Sequence, residues 1–398
     1  MVAIRSITYN LPVNVTENHF FKIQKNVILW KQTNSFIRTF RINLTPLCDT
    51  KYLDKINEID KFCMDTNIRW FNVPIDPWLS INDKELFSFS EEILFKYNQA
   101  FVNILAVKNN KIDFKILNKA SKLIKFTSKI SNDGCNNFKL GISTNITNDG
   151  PFFPFTMSSG TLRFSIALEL TQEINDILCD LQKIGINNLR QQIIERLMPQ
   201  ISALNLLAES IEKETGIPFI GFDFSLAPIL EKNGSIISIL NKLGMNNFGS
   251  TGMFFATAYL TNIIKWLGKS FKTVGFSGIM YSLLEDMELC SINNKKNISL
   301  EKLISWSTMC GCGLDMVPVY GNITIDELNS ILLDVATISL RLRKPLGVRI
   351  LPIPNIKNKS KEYTQFYYDS DFVANTKVIK VDQYAFSFST GMFDFLEI

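Results

Sequence analysis

Strand-like and helix-like segments alternate along almost the whole chain. In the first half, stretches rich in β-branched and aromatic residues, typical of strands, cover 2–9, 36–44, 68–75, 100–107 and 138–144. Segments with apolar residues at helical spacing separate them, beginning with His19 to Trp30. Because parallel strands must be joined by crossover connections, usually helices, this alternation predicts a mainly parallel sheet covered by helices.

The same alternation continues after a segment rich in glycine and proline at 148–155. The second half carries strand patterns at 162–170, 216–228, 274–284, 314–320 and 346–354. The chain therefore divides into a first half, 1–150, and a second half, 151–398, with five predicted strands each. No linker-like stretch separates them, so we expect a single domain over 1–398, with the apolar tail at 377–398 adding a further strand.

Composition argues against several classes of protein. The net charge is +4, but the Lys and Arg residues are spread among the acids, which does not favour a nucleic-acid interface. Polar residues interrupt the longest apolar stretch, Met253 to Leu267, so no membrane-spanning helix is predicted. The first residues lack the pattern of a signal peptide, and the seven cysteines are odd in number and scattered. We therefore expect a cytoplasmic protein with reduced thiols. His19 is the one histidine, which excludes His-based triads and multi-His metal sites.

The densest chemistry lies between Gly275 and Gly321. This stretch contains the adjacent acids Glu285 and Asp286, and the sequence Cys310-Gly311-Cys312-Gly313 followed by Asp315. Glycine permits close backbone approach, so the thiol segment has two interpretations. It is either a shaped loop with a reactive thiol at Cys310 and ligand contacts at its two glycines, or a tight connection with two small buried side chains. Two thiols supply only half of a zinc site, so structural zinc is not predicted.

Charged side chains accompany the predicted strands of the second half. Because the carboxyl ends of parallel strands meet at one edge, we expect these side chains to face one rim. Acids that converge in a cleft raise one another's pKa or bind a divalent cation such as Mg²⁺, and an arginine anchors an anion. A single acid at a strand end is more often a helix cap or an ion-pair partner. The candidates are Asp223, Glu285, Asp286, Asp315 and Arg349.

A glycine-rich turn, FGSTG at 248–252, precedes a predicted helix. Exposed N–H groups of Gly249, Ser250, Thr251 and Gly252 would suit an anion, although the lysine of a P-loop is missing. The alternative is a close-packed turn. The phenylalanines of the segment at 152–155 are interpreted as core or as a pocket wall.

Six separated segments carry a resemblance to a known family. They are IRSITYN near the start, then DGPFFPF, GFDFSLAP, VGFSGIMYSLLED, MCGCGLDMVPVYG and RLRKPLGVRILPIP. In this order they resemble the domain of unknown function 711 family, also called uncharacterised protein family 0210, over nearly the whole chain. The resemblance implies a pyruvate-formate-lyase-like fold, which is a ten-stranded α/β barrel made of two five-stranded halves.

Glycyl-radical enzymes of that superfold use a loop cysteine and a glycine radical near the C-terminus. Cys310 matches the cysteine, whereas Cys312 departs from the family pattern, which has no thiol there. The late Gly391 lacks the surrounding Arg-Val-x-Gly-aromatic motif. We therefore do not expect glycyl-radical chemistry, because fold similarity alone does not imply it.

Two functional hypotheses follow. The first is an enzyme that acts on a small anionic metabolite at the mouth of the barrel, with the carboxylates as acid/base or cation-binding groups, Arg349 as anion anchor and Cys310 as reactive thiol. The second is a non-catalytic metabolite sensor that uses the same site. The reaction type stays open, no cofactor other than a divalent cation is suggested, and a homo-oligomer is expected only from the general abundance of symmetric assemblies.

Overall fold

The first half of the chain forms the predicted alternation of strands and helices. The computed structural model describes residues 2–180, 185–245, 247–357, 362–366, 372–381 and 390–395. In the first half the elements are β1 (Ala3–Asn10), α1 (Glu17–Lys31), β2 (Ile37–Asn43), α2 (Leu53–Thr66), β3 (Trp70–Ile75), α3 (Asp83–Lys96), β4 (Ala100–Lys108), β5 (Lys111–Asp113), α4 (Phe114–Thr127) and β6 (Leu140–Thr144).

The second half repeats this alternation with longer loops and more helices. Its elements are β7 (Arg163–Glu169), α5 (Leu170–Asp180), α6 (Ile186–Thr215), β8 (Phe219–Asp223), α7 (Ile236–Lys242), α8 (Met253–Gly268), α9 (Met287–Lys296), α10 (Leu300–Trp306), β9 (Gly313–Tyr320), α11 (Ile325–Leu342), β10 (Leu346–Ile353) and β11 (Met392–Asp394). Local sequence explains several helix starts: Thr324 and Glu327, for example, form a reciprocal capping box at the start of α11.

One sheet joins the two halves in the order β8-β7-β1-β2-β3-β4-β6-β10-β9. Strands β1, β2, β3, β4 and β6 are parallel neighbours, as are β7 with β8 and β10 with β9. Between the halves the pairing is antiparallel, with β1 beside β7 and β6 beside β10. The predicted α/β fold with a mostly parallel sheet is therefore confirmed, and the two halves run in opposite directions.

The predicted strand at 274–284 is not a regular strand. Gly275 and Ser277 have φ angles of +67° and +43°, which break the pleat, and a short 3₁₀ helix follows at Leu283–Glu285. Isolated parallel bridges nevertheless join Thr273 to Phe222, Ile279 to Leu226 and Ser282 to Asp315. This irregular segment, 273–282, thus contacts β9 and the region of β8, the two ends of the strand order.

A short strand that the sequence pattern did not reveal, β5, lies beside β4. It also pairs antiparallel with β11, which corresponds to part of the extra strand predicted in the tail. Tail residues 382–389 and 396–398 lie outside the described residues, as do residues 181–184. None of the helices in the described parts of the chain combines the length and apolar character needed to cross a membrane.

An asparagine ladder crosses the interior face of the first half. Asn43 on β2 donates to Asn10 Oδ1 on β1 at 2.9 Å, and Asn72 on β3 donates to Asn43 Oδ1 at 3.1 Å. Asn72 also donates to the main-chain oxygen of Thr156 at 2.9 Å. The segment at 149–157, which links the halves, is therefore bound inside the fold rather than lying on its surface.

Candidate functional site

Five charged side chains and one thiol face a small cavity between the two halves. The cavity has a volume of about 30 Å³, which is room for about two ordered water molecules. Seven aromatic side chains and Met280 form the remaining wall. Phe152, Phe153 and Phe155 belong to it, so their interpretation as a pocket wall is confirmed. The polar lining consists of Arg5, Arg41, Glu285, Cys312, Asp315 and Arg349.

Arg349 is held on two sides by carboxylates. Its Nε and Nη2 atoms contact the two oxygens of Asp315 at 2.5 and 2.7 Å, and Nη2 also contacts Glu285 Oε1 at 3.2 Å. The other oxygen of Glu285 lies 3.6 Å from Arg5 Nη2. Arg349 and Asp315 each have only 5% of the side chain exposed, so this is a desolvated, bidentate ion pair. The cluster brings together three predicted site residues: Glu285, Asp315 and Arg349.

These positions correct the expectation that the candidates stand at strand ends on one rim. Asp315 is the third residue of β9 and Arg349 the fourth of β10, so both project from within the sheet. Their register explains the contact: Gly347 pairs with Gly313 and Val348 with Leu314, which brings Asp315 and Arg349 close to one another on neighbouring strands.

Arg41 is the charged group of the cavity that lacks an acidic partner. Its Nε donates to Thr39 Oγ1 at 3.0 Å and its Nη1 donates to the main-chain oxygen of Pro151 at 3.1 Å. Trp70 and Phe153 stack against the guanidinium, with ring centres 5.1 and 5.4 Å away. Within the described residues, no carboxylate oxygen lies within 4 Å of it. Burial, together with the positive charge of Arg5, lowers the pKa of Arg41 well below its usual value.

The cavity therefore carries a net positive charge. Three guanidinium groups and two carboxylates line it, which leaves one positive charge uncompensated when both acids are ionised. Burial raises the pKa of Glu285, while the charge of Arg349 opposes this and that of Asp315 adds to it. An unpaired buried charge is unfavourable, so this arrangement is suited to an anion that enters from outside.

The two thiols of the segment between α10 and β9 lie against each other. Cys312 lines the cavity, and Cys310 Sγ lies 3.6 Å from Cys312 Sγ. Tyr281 N–H donates to Cys310 Sγ at 3.3 Å. Burial alone would raise the pKa of Cys310, but hydrogen bonds from Cys312 and Tyr281 and the charge of Lys344 lower it to about 7. The same hydrogen bond and burial raise the pKa of Cys312 well above its usual value.

Gly311 and Gly313, predicted to contact ligand, contact other backbone segments. A Cβ atom at Gly311 would lie 3.2 Å from Gly278 Cα, and one at Gly313 would lie 2.2 Å from the oxygen of Gly347. These glycines permit close approach of strands and loops around the thiols. The thiol segment is tightly packed, as one of the two interpretations from sequence expected, and the reactivity of Cys310 stays a prediction.

Asp223 and Asp286 lie away from the cavity lining. Asp223 accepts hydrogen bonds from the N–H groups of Ser225, Phe276 and Ser277 at 2.8 to 3.1 Å, which fixes the irregular segment beside β8. Asp286 caps α9 through the N–H groups of Glu288 and Leu289. It also accepts from Ser235 Oγ at 2.6 Å and Ile236 N–H at 2.9 Å, at the start of α7. Both are held as structural acceptors.

The FGSTG turn opens α8, as expected, but it does not line the cavity. Gly252 is the N-cap with φ +91°, and Gly249 N–H contacts Met253 Sδ at 3.0 Å. Phe248 packs on Tyr281 and Trp306. Ser250 and Thr251 belong to the same turn, so these four candidates form a group separate from the cavity.

Sequence reasoning missed Arg5 and Arg41. Both lie in strand patterns, AIRSITYN and IRTFRIN, whose residues are nearly all buried. A charged residue inside a buried strand is the signal that would have identified them.

Gly391, the late glycine, is exposed, and its carbonyl oxygen accepts a hydrogen bond from Phe114 N–H. Across the described ranges, no group of three or more His, Cys, Asp or Glu residues is arranged to hold a metal ion.

Comparison with known proteins identifies relatives of this chain. The UPF0210 protein of Pyrobaculum aerophilum is 28% identical over 225 residues, which are 55% of this chain and 50% of that protein. The UPF0210 protein of Clostridium perfringens is 26% identical over 339 residues, covering 79% of this chain and 74% of the relative. The match thus spans about half the length of the Pyrobaculum relative. A family model described as Uncharacterised ACR (DUF711) matches residues 32–366, and the chain therefore belongs to the DUF711 family.

Proposed function

We propose that this protein binds a small anionic metabolite in the central cavity and acts on it as an enzyme. The observation that carries the proposal is the buried guanidinium of Arg41, which has hydrogen bonds and aromatic neighbours but no carboxylate among the described residues. Arg349, the anchor expected from sequence, is neutralised by Asp315 and Glu285. The anion anchor in this proposal is therefore Arg41, with Arg5 beside it.

The size of the cavity restricts the part of the ligand that it accepts. Room for about two water molecules corresponds to a group the size of a carboxylate. A planar carboxylate fits the forked N–H groups of an arginine, and displacement of water strengthens the interaction. We therefore propose that a carboxylate-sized anionic group enters the cavity and that any larger remainder lies outside it.

Glu285 and the thiols are the proposed reactive groups. Glu285 has a raised pKa, which suits a general acid, and it lies between Arg5 and Arg349. Cys310, with a pKa of about 7, would supply a thiolate near neutral pH. Asp315 orients Arg349. We assign Asp223, Asp286 and the FGSTG turn to support of this site, and Mg²⁺ dependence stays a prediction.

We also propose that the nine strands of the main sheet order, together with the irregular segment 273–282 in place of the tenth predicted strand, form a closed barrel of two halves. Support comes from the isolated bridges by which the segment 273–282 contacts Phe222 and Leu226 on one side and Asp315 on the other. A pyruvate-formate-lyase-like barrel would enclose the cavity on all sides. We propose that the protein acts in the cytoplasm.

The first test is ligand discovery with the purified protein. A mixture of metabolites is incubated with the protein, with and without Mg²⁺, and analysed by mass spectrometry. Conversion of an anionic compound supports the enzyme, whereas retention of one unmodified anion supports the alternative, a non-catalytic sensor. The absence of any anionic ligand or substrate would contradict both.

The second test identifies the anchor. We expect Arg41→Gln to weaken binding of the anion by about 10- to 100-fold, because a charged hydrogen bond contributes roughly 1.5–3 kcal/mol. Arg41→Lys should bind with intermediate affinity, because lysine keeps the charge but not the fork. The matched control is Arg196→Gln, which removes a guanidinium from an exposed ion pair between α6 and Asp180 at the end of α5. Titration calorimetry measures all three, and equal affinities for Arg41→Gln and Arg196→Gln would refute the assignment.

A further inference from the structure

The thiols of Cys310 and Cys312 have the arrangement of a redox pair. Their sulfur atoms are 3.6 Å apart, so closure to a disulfide of about 2.05 Å requires a movement of about 1.5 Å. Both side chains are buried, with exposures of 1% and 2%. Gly311 between them has no side chain to obstruct rotation of the two cysteines towards each other. Across all seven cysteines no disulfide is present, so the pair is in its dithiol form.

The surroundings favour one thiolate and one thiol. Cys312 Sγ has two acceptors within reach, Cys310 Sγ at 3.6 Å and Asp315 Oδ2 at 3.9 Å. Tyr281 N–H points at Cys310, and Lys344 Nζ donates to the main-chain oxygens of Thr308 and Cys310. The charged or titratable groups that face the pair are therefore Tyr281, Asp315, Lys344 and Arg349. A thiolate at Cys310 is stabilised by donors on one side and by a lysine on the other.

The size of the cavity restricts the oxidant that can reach the pair. Cys312 forms part of the cavity wall, Cys310 Sγ lies behind it at 3.6 Å from Cys312 Sγ, and the cavity holds about two water molecules. A peroxide molecule is close to water in size and polarity, whereas a disulfide such as that of a tripeptide is far too large to enter.

We propose that Cys310 and Cys312 form a peroxide-reactive dithiol that closes reversibly to an intrachain disulfide. The Cys310 thiolate attacks one oxygen of hydrogen peroxide, the O–O bond breaks, and a sulfenic acid and hydroxide form. The sulfur of Cys312 then attacks the sulfur of Cys310, and its proton leaves with the sulfenic oxygen as water. Two electrons pass from the sulfurs to the peroxide. The thiolate and thiol plus one peroxide thus give one disulfide, one water and one hydroxide.

Closure would change the charge beside the cavity. It removes the Cys310 thiolate and the S–H group that faces Asp315. Asp315 holds Arg349, so the redox state of the pair acts on the charged cluster of the cavity. The redox reaction itself does not depend on a metabolite, and its outcome is separate from that of the ligand tests above.

The test uses the full-length protein reduced with dithiothreitol and then treated with hydrogen peroxide near pH 7. Peptide mass spectrometry should find a loss of 2 Da in the peptide that contains Cys310 and Cys312, reversible by dithiothreitol, before Cys179 gains oxygen. The Cys312→Ser variant should accumulate sulfenic acid on Cys310, detectable with a dimedone probe. The control thiol is Cys290, whose pKa burial raises to about 12; it should stay unmodified.

The pH profile separates a paired thiolate from an ordinary buried thiol. The wild-type rate of peroxide consumption should rise with a midpoint near pH 7, because the thiolate form of Cys310 increases through its pKa. Cys312→Ala removes the donor and should move the midpoint upwards, whereas Cys312→Ser keeps a donor and should hold it near the wild-type value. Failure to form the disulfide, or oxidation of Cys179 ahead of the pair, would overturn the proposal.

Discussion

Two buried arginines of the cavity have opposite electrostatic surroundings. Arg349 lies between Asp315 and Glu285, with contacts at 2.5 to 3.2 Å. Arg41 has a hydroxyl, a carbonyl and two aromatic rings as neighbours. Removal of one member of a buried ion pair leaves an uncompensated charge, whereas removal of an unpaired buried charge relieves desolvation. We therefore expect Arg349 to contribute to stability, and Arg41 to contribute to the anion binding proposed above.

Stability measurements can distinguish these roles in the absence of ligand. We expect Arg349→Met to lower the free energy of unfolding by about 3–5 kcal/mol, because Asp315 and Glu285 would lose their shared partner. Arg41→Met should change it by less than about 1 kcal/mol, since lost hydrogen bonds and relieved charge burial oppose each other. Urea unfolding followed by circular dichroism measures both, and similar losses in the two variants would contradict this division.

Whether the role of a single residue can be predicted from sequence depends on whether its contacts are local or distant along the chain. The sequence identified four candidates of this region, because reactive side chains and a thiol–glycine segment occur together there. They are Glu285, Cys310, Asp315 and Arg349. Their pairing was not predictable, because it depends on the register of β9 against β10. Arg41 was missed because its site is completed by the segment at 149–157, more than a hundred residues away, whose Pro151 oxygen accepts from it.

At the scale of elements, β9 and β10 approach closely just where the charged pair forms. Gly313 has φ +111°, and a Cβ atom there would lie 2.2 Å from the main-chain oxygen of Gly347. Gly347 in turn leaves room for the ring of Phe155, whose nearest atom would lie 2.2 Å from a Cβ atom. Glycines thus allow the strands, the thiol segment and the aromatic wall to approach one another closely.

This packing gives a matched pair of substitutions. Gly313→Ala should lower the free energy of unfolding by about 2–5 kcal/mol, because backbone strain and a clash with Gly347 add together. Gly391→Ala is the control: its φ is +116°, but no atom lies within 4 Å of the added Cβ, so only strain of about 1–3 kcal/mol at most is expected. Thermal unfolding of both variants measures the difference. An equal loss in both would show that the clash is not important.

Most strands were predictable from alternation, and the exceptions have local causes. The region at 274–284 has the apolar composition of a strand, but Asp223 binds the N–H groups of Phe276 and Ser277 and holds the chain in a non-extended form. Strand β5 has only three residues, too few for a period to be recognised. Asp286, predicted from its position to carry chemistry, binds the starts of two helices, a tertiary role that sequence spacing does not reveal.

At the scale of the molecule, the two halves contact each other at both ends of the first half. β1 pairs with β7 and β6 pairs with β10, both antiparallel. Arg5 of the first half lies 3.6 Å from Glu285 of the second, and the segment between the halves is bound to the asparagine ladder. The order of elements predicted two β/α halves, but their opposite directions were not predictable, because antiparallel pairing between halves leaves no periodic signal in sequence.

These contacts predict one cooperative unfolding transition. Separation of the halves would expose two strand edges, at β1 and β6. It would also leave Arg5 without Glu285 and Arg41 without the main-chain oxygen of Pro151. We therefore expect calorimetric and van't Hoff enthalpies of unfolding to agree, and transitions followed by fluorescence and circular dichroism to coincide. A fragment of residues 1–150 should not fold as a stable monomer, because β1 and β6 would lose their neighbouring strands and Arg5 would lose its acidic partner. The experiment compares this fragment with the full chain by hydrogen exchange. Slow exchange in β1 and β6 of the isolated fragment would contradict the prediction and would mean that the first half is an independent domain.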